Sequence, residues 1–381
     1  MEPTSDERRS PSETAMHGAL WRRTFATLLP AVLVFMQVPD AAVAVPLAYV
    51  TNFGAGNVSV IDTITNIVSP AVIPVGSLPE QVAVTPDGTL AYVTNAGSGT
   101  VSVISTFSNT VVGTPIPVGS APSGLAVTPN GARVYVANSG SGTVSVIDTA
   151  TNTTLGGPIP VGPAPAGVAV TPNGARVYVA ILDANAVSVI DTATNTVVGS
   201  PIPVGGAPTG IAVTPDGGRL YVANSGSNSV SVIDTATNTV LGGPVPVGAG
   251  PSGIAVIPIG ARVFVSNFLS NTVSVINTAT NTVLGGPVPV GAGPSGIAVT
   301  PDGGRLYVAN SGSNSVSVID TATLTVLGSP IAVGTAPTGI ALTPPNIPII
   351  PTLSDRGFWV LCAALSVAFA MHIIARRARS L

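Results

Sequence analysis

Side chains able to do covalent or metal chemistry are almost confined to the two ends of this 381-residue chain. His17, His372 and Cys362 all lie outside residues 45–343, as do both tryptophans. Without them no His/Cys metal set, Ser-His-Asp arrangement or haem ligand pair can be built inside that stretch, and no cofactor is expected there. Acids remain, and most of them recur. Asp62, Asp148, Asp191, Asp234 and Asp320 occupy an I-D-T step, while Asp87, Asp216 and Asp302 occupy a P-D-G step. A carboxylate repeated once per copy shapes its turn by accepting nearby backbone amides. One acid stands apart. Glu80, the only glutamate between 45 and 343, lies in the one atypical connection, Leu78-Pro79-Glu80-Gln81.

These residues are positioned by a repeat. Tyr49, Tyr92, Tyr135, Tyr178, Tyr221, Phe264 and Tyr307 fall 43 residues apart, and Ile61 to Ile319 keep the same interval. Seven copies at this period imply units that bury their faces against one another. Within the copy that begins at Pro208, four apolar runs at 210–214, 219–223, 229–233 and 239–247 are rich in Val, Ile and Tyr, which suit a pleated surface. Asp216-Gly217 supplies a tight hairpin turn, a polar loop follows at 224–228, and Pro244, Pro246 and Gly248 interrupt the fourth run. No run has room for a helix. The expected fold is therefore all-β, a seven-bladed β-propeller with four antiparallel strands per blade. The first copy lacks its opening strand, and a matching P-T-G-I-A-L-T-P segment at 337–344 follows the last copy. Docking that segment beside 48–51 would close the ring from both termini.

The residues Tyr49-Val50-Thr51-Asn52 and Tyr92-Val93-Thr94-Asn95, with P-D-G before and V-S-V-I-D-T after, resemble the YVTN-repeat β-propellers of bacterial and archaeal surface proteins. The resemblance spans roughly residues 45–343, with three further copies reading Y-V-A-N and the fourth Tyr178-Val179-Ala180-Ile181. Only 8% of residues are charged, against roughly 25% in an average domain, and the basic residues are all arginine. Between 45 and 343 five arginines face ten acids, which disfavours nucleic acid as a partner.

The ends carry address signals. Residues 1–44 read as a signal peptide: Arg22-Arg23, an apolar core from Phe25 to Val38, then Ala42-Val43-Ala44 as a cleavage site. Arg22-Arg23-Thr24-Phe25 also resembles a twin-arginine motif, so the export route stays open. At the other end a proline-rich spacer with a motif occupies 344–357, an apolar run suited to a transmembrane helix occupies 358–375, and a basic tail occupies 376–381. Ile350, Pro351, Thr352, Leu353 and Gly357 resemble the IPTL C-terminal sorting signals of Gram-negative bacteria, with Arg356 where that family has Trp. The resemblance implies processing by a membrane-embedded exosortase-type enzyme and a ring outside the inner membrane or at the cell surface.

Two functions follow from this reading. The first is a non-enzymatic scaffold for binding or display, since near-identical blades leave little room for a shaped site. Its partner, a protein or glycan, would meet blade-specific loop residues: Phe53, Glu80, Ile181, Leu182, Asp183, Phe268 and Leu269. The alternative is a lactonase-like or redox propeller enzyme with a site at the central channel. There the inner strand reads G-I-A-V-T-P, and Glu80 is the sole candidate acid.

Overall fold

The computed structural model describes residues 46–345, all of them strand, turn or irregular, with no helix. The signal, sorting and membrane-span segments expected at 1–44 and 344–381 lie outside the described residues, apart from Pro344 and Pro345. No helix long and apolar enough to cross a membrane occurs among the described residues.

Seven sheets of equal build make up residues 47–342. In the second blade the strands run Pro79–Val84, Leu90–Asn95 and Thr100–Ser105, paired antiparallel in that order. The predicted fourth strand is broken. Thr110–Val111 pairs with one end of the third strand and Ile116–Pro117 with the other. The four residues between them leave the sheet, because their glycine and proline cannot hold a ladder. Every blade repeats this plan.

The ring closes as the split repeat implies. Pro337–Leu342 pairs antiparallel with Leu47–Asn52 and completes the first blade. Seven apolar clusters hold the ring, and each lies between two blades rather than within one. The closing cluster joins Ala48, Val50, Ile61 and Ile340 of blade one to Tyr307, Ala309, Val316 and Val318 of blade seven. A blade alone would expose both faces; the core exists only once the neighbours are in place.

A hydrogen bond crosses six of these seven apolar seams. The buried tyrosine hydroxyl of one blade donates to an asparagine in the next blade's outer turn: Tyr49 to Asn109 Oδ1 (2.5 Å), Tyr92 to Asn152 (2.6 Å), Tyr221 to Asn281 (2.7 Å) and, across the closure, Tyr307 to Asn66 (2.7 Å). Those asparagines hold positive φ, which their short side chains tolerate. Blade six is the exception, and both partners change: Phe264 has no hydroxyl, and Leu324 stands where the asparagine would be and packs in the same cluster.

The repeated charges are structural. Asp148 Oδ1 accepts the amides of Ala150 and Thr151, and Asp87 accepts the hydroxyl of Thr85 and the amide of Thr89. These bonds hold both carboxyls below the usual carboxylate range. The arginines reach across the seams: Arg133 Nη1 donates to the Thr192 carbonyl (2.7 Å) and Arg305 Nη1 to the Thr63 carbonyl (2.9 Å).

Candidate functional site

The innermost strand of each blade lines the central channel, and its second and third residues set the wall. In six blades the third is glycine: Gly124, Gly167, Gly210, Gly253, Gly296 and Gly339. A Cβ added to Gly124, Gly167 or Gly210 would lie 2.2 Å from a carbonyl oxygen of the next blade's inner strand, and at Gly253 or Gly296 2.3 Å. No side chain fits such a gap, so the inner strands press backbone to backbone. In three blades a hydroxyl at the second position bridges the same gap. Ser123 donates to the Pro165 carbonyl (3.1 Å), Thr209 to that of Pro251 (3.2 Å) and Thr338 to that of Glu80 (2.7 Å).

Blade two alone carries an acid, Glu80, at the second position and a side chain, Gln81, at the glycine position. Glu80 makes no bridge, and neither do Ala166, Ser252 and Ser295 at the same position, so what sets blade two apart is its charge and the Gln81 side chain. Gln81 carries the Cβ that the other blades exclude. Accordingly the inner strands Pro79–Val84 and Pro122–Val127 are the most loosely packed of the seven adjacent pairs. The Glu80 and Gln81 side chains make no hydrogen bond among the described residues, while the backbone there is held by Thr51 on the Glu80 carbonyl and Thr94 on the Gln81 amide. Glu80 is half-buried, and burial pushes its carboxyl up to about 7. Near neutral pH it can both take and return a proton.

The remaining residues expected at a site disperse or turn out to be packing residues. Phe53, Leu182, Asp183, Phe268 and Leu269 do lie on the face that carries Glu80, since the amides of Phe53 and Leu182 bond to the inter-blade connections at Ala336 and Ala164. They belong to blades one, four and six. Phe268 and Leu269 are exposed, as is Asp183, whereas Phe53 and Leu182 are half-buried. Ile181 is no loop residue. It ends the strand Arg176–Ile181 at 1% exposure, opposite Ala186. Its counterparts are buried asparagines whose Nδ2 bonds hydroxyls five and seven residues on, as Asn138 does with Thr143 (3.2 Å) and Ser145 (2.9 Å). In blade four Ala186 removes the first of those hydroxyls, so an apolar pair replaces a polar one. Ile350, Pro351, Thr352, Leu353 and Gly357 lie outside the described residues. Gln81 was passed over as a site residue; aligning the seven copies exposes it as the one side chain in a glycine column.

A cleft of about 410 Å³ opens at the opposite end of the blade two–three seam, lined by Asp87, Leu90, Asn130 and Thr149 among others. Leu90 stands where blades three, five, six and seven carry an arginine that donates to the next blade's turn carbonyl. Its one acid is committed to Thr85 and Thr89. No cluster of three or more metal-ligating acids, histidines or cysteines occurs among the described residues.

Comparison with known proteins agrees on architecture. The NHL repeat matches residues 207–233 and 292–319. No curated protein matches the chain. Among solved structures, the ring is similar to Kuenenia stuttgartiensis hydrazine synthase, at 28% identity and TM-score 0.65 over 72% of this chain and 92% of that one. It is similar to the periplasmic gluconolactonase of Pseudomonas aeruginosa, at 18% identity and TM-score 0.65 over 79% and 99%. A protein of unknown function from Desulfotomaculum acetoxidans shares 22% identity, with TM-score 0.68 over 79% and 99%.

These neighbours overturn the expectation of a non-enzymatic display scaffold. That expectation took regular blades to leave no room for a site, yet rings of the same shape include a gluconolactonase and a hydrazine synthase. Regularity was also incomplete, since the channel wall is broken at Glu80 and Gln81. Identity below a quarter fixes fold alone, so the reaction rests on this chain's own residues. NHL repeats and a seven-bladed ring fit a repeat β-propeller family.

Proposed function

We propose that the ring is a propeller enzyme of the lactonase type, acting where the inner strands of blades two and three part. The observation that carries this reading is the unpaired, half-buried carboxyl of Glu80 at the most loosely packed junction of the channel wall. In the proposed reaction the Glu80 carboxylate takes a proton from water as the water oxygen attacks the lactone carbonyl carbon. The carbon–oxygen bond of the ring ester then breaks, the departing oxygen receives the proton from Glu80, and a hydroxy acid leaves. The uncommitted Gln81 amide would donate to the carbonyl oxygen as negative charge develops on it.

A redox reading finds less support. Residues 46–345 contain no histidine, cysteine or methionine, the usual haem-ligating side chains. The tyrosine hydroxyls are committed across the seams.

The export and anchoring signals remain part of the proposal on sequence grounds. Residues 1–44 would direct export, and 358–375 would hold the ring on the outer side of the inner membrane, with IPTL-type processing to follow. The test of the enzymatic reading is hydrolysis of a panel of lactones by the purified full chain, with spontaneous hydrolysis subtracted. Turnover that Glu80→Gln removes supports it; rates equal to the uncatalysed background refute it.

A further inference from the structure

Charge is segregated between the two faces of the ring, and this bears on which lactone the site accepts. The basic residues among the described ones are five arginines: Arg133, Arg176, Arg219, Arg262 and Arg305. Each opens the second strand of its blade, at the end beside the P-D-G or equivalent turn. Four of them are fixed there, donating to a turn carbonyl of the next blade. Glu80 sits at the other end of the sheet. Its neighbour Pro79 pairs with Asn95, the last residue of the second strand, whereas the arginine position is the first. Six residues of strand separate the two levels by roughly 17 Å. That exceeds the screening length of about 8 Å at physiological salt.

The Glu80 face therefore offers an incoming anion no cation among the described residues, and it presents Asp183 and, above neutral pH, Glu80 itself as negative charges. It does offer neutral hydrogen-bonding groups. The half-buried hydroxyls of Ser252 and Ser295 occupy the bridging position of the inner strand in blades six and seven. Unlike those of Ser123, Thr209 and Thr338, they make no hydrogen bond among the described residues. The Gln81 amide is uncommitted too.

Resting on the enzymatic reading above, we infer that the substrate is an uncharged, hydroxyl-bearing lactone and that the ring discriminates against phosphorylated or otherwise anionic lactones. A phosphate brought to this face would meet like charge with no guanidinium or ammonium to accept it, and would lose its hydration without replacement. A neutral polyol lactone loses only hydrogen bonds to water, which free hydroxyl and amide groups can replace.

The experiment compares glucono-δ-lactone with its 6-phosphate at about pH 7, using the purified full chain. Each rate is taken as the difference from the Glu80→Gln variant, which removes spontaneous hydrolysis. The inference expects kcat/KM at least tenfold higher for the neutral lactone, with the ratio shrinking in high salt as repulsion is screened. Equal or greater activity on the phosphorylated lactone would overturn the inference while leaving Glu80 as the base. Activity on neither lactone would remove the enzymatic reading, and the inference with it.

Discussion

Two places in the ring depart from its repeat, and they depart differently. At the blade six–seven seam, Phe264 replaces the tyrosine and Leu324 replaces the asparagine that would accept its hydroxyl. The loss on one side is matched on the other, and the seam stays buried with no polar group stranded. Ile181 and Ala186 make a second matched pair in blade four. At the blade two–three junction nothing compensates. Glu80 stands where three other blades carry a bridging hydroxyl, Gln81 replaces a glycine, and the neighbouring strand supplies no partner for either side chain. Matched departures keep the packing constant and need only a structural account. An unmatched one leaves a half-buried acid with no partner, and it is on that residue that the proposed enzymatic reading rests.

The sharpest way to break this contrast is to remove the unmatched group. Glu80→Gln preserves shape and deletes proton transfer, so lactone turnover should fall roughly 10²–10⁴-fold while circular dichroism shows the ring intact. Next in size is the wall itself. Gly210→Ala places a Cβ 2.2 Å from the Ser252 carbonyl oxygen and should destabilise the ring by about 1–3 kcal/mol in urea melts. Gln81→Ala, in the same column but at the open junction, should change stability by about 0.5 kcal/mol or less. Equal costs at the two positions would show that the junction is not loose.

The matched seam should show coupling. Phe264→Tyr buries a hydroxyl without its asparagine and should lose about 1–3 kcal/mol, and adding Leu324→Asn should recover much of that loss in a double-mutant cycle. Additive effects would contradict a compensated pair. The Glu80 carboxyl predicts a pH dependence of stability. The folded state holds the Glu80 proton to about pH 7, whereas the unfolded chain releases it near the ordinary glutamate value of 4.5. Folding is therefore favoured at low pH, and that contribution is lost as pH rises from 4.5 through 7. Glu80→Gln does not titrate, so it should gain on the wild type over that window and stay level above it in thermal melts.

Much of this was legible in the sequence because repetition makes spacing visible. A tyrosine every 43 residues fixes the number of blades, and the orphan segment at 337–344 fixes how the ring closes. Turn carboxylates were legible too, since local side-chain bonding needs only local sequence. What escaped lies between blades. The arginines reach a carbonyl 59 residues on, and the tyrosines an asparagine 60 residues on, contacts that no local pattern announces. Ile181 reads as a loop residue in the sequence because the loop beside it is blade-specific; its strand runs one residue further, and its burial is set by the neighbouring connection at Val161 and Gly162. Glu80 was visible as a lone acid. Its isolation was not, because whether a carboxyl finds a partner depends on the strand across the seam.

The measurement that bears most directly on the central claim is the pH dependence of kcat/KM for lactone hydrolysis, wild type against Glu80→Gln, each corrected for spontaneous hydrolysis. A base with its pKa near 7 predicts activity that climbs with pH to a plateau about that midpoint and a variant with no such step. A variant that keeps the wild-type rate and profile would show that the unmatched carboxyl does no chemistry.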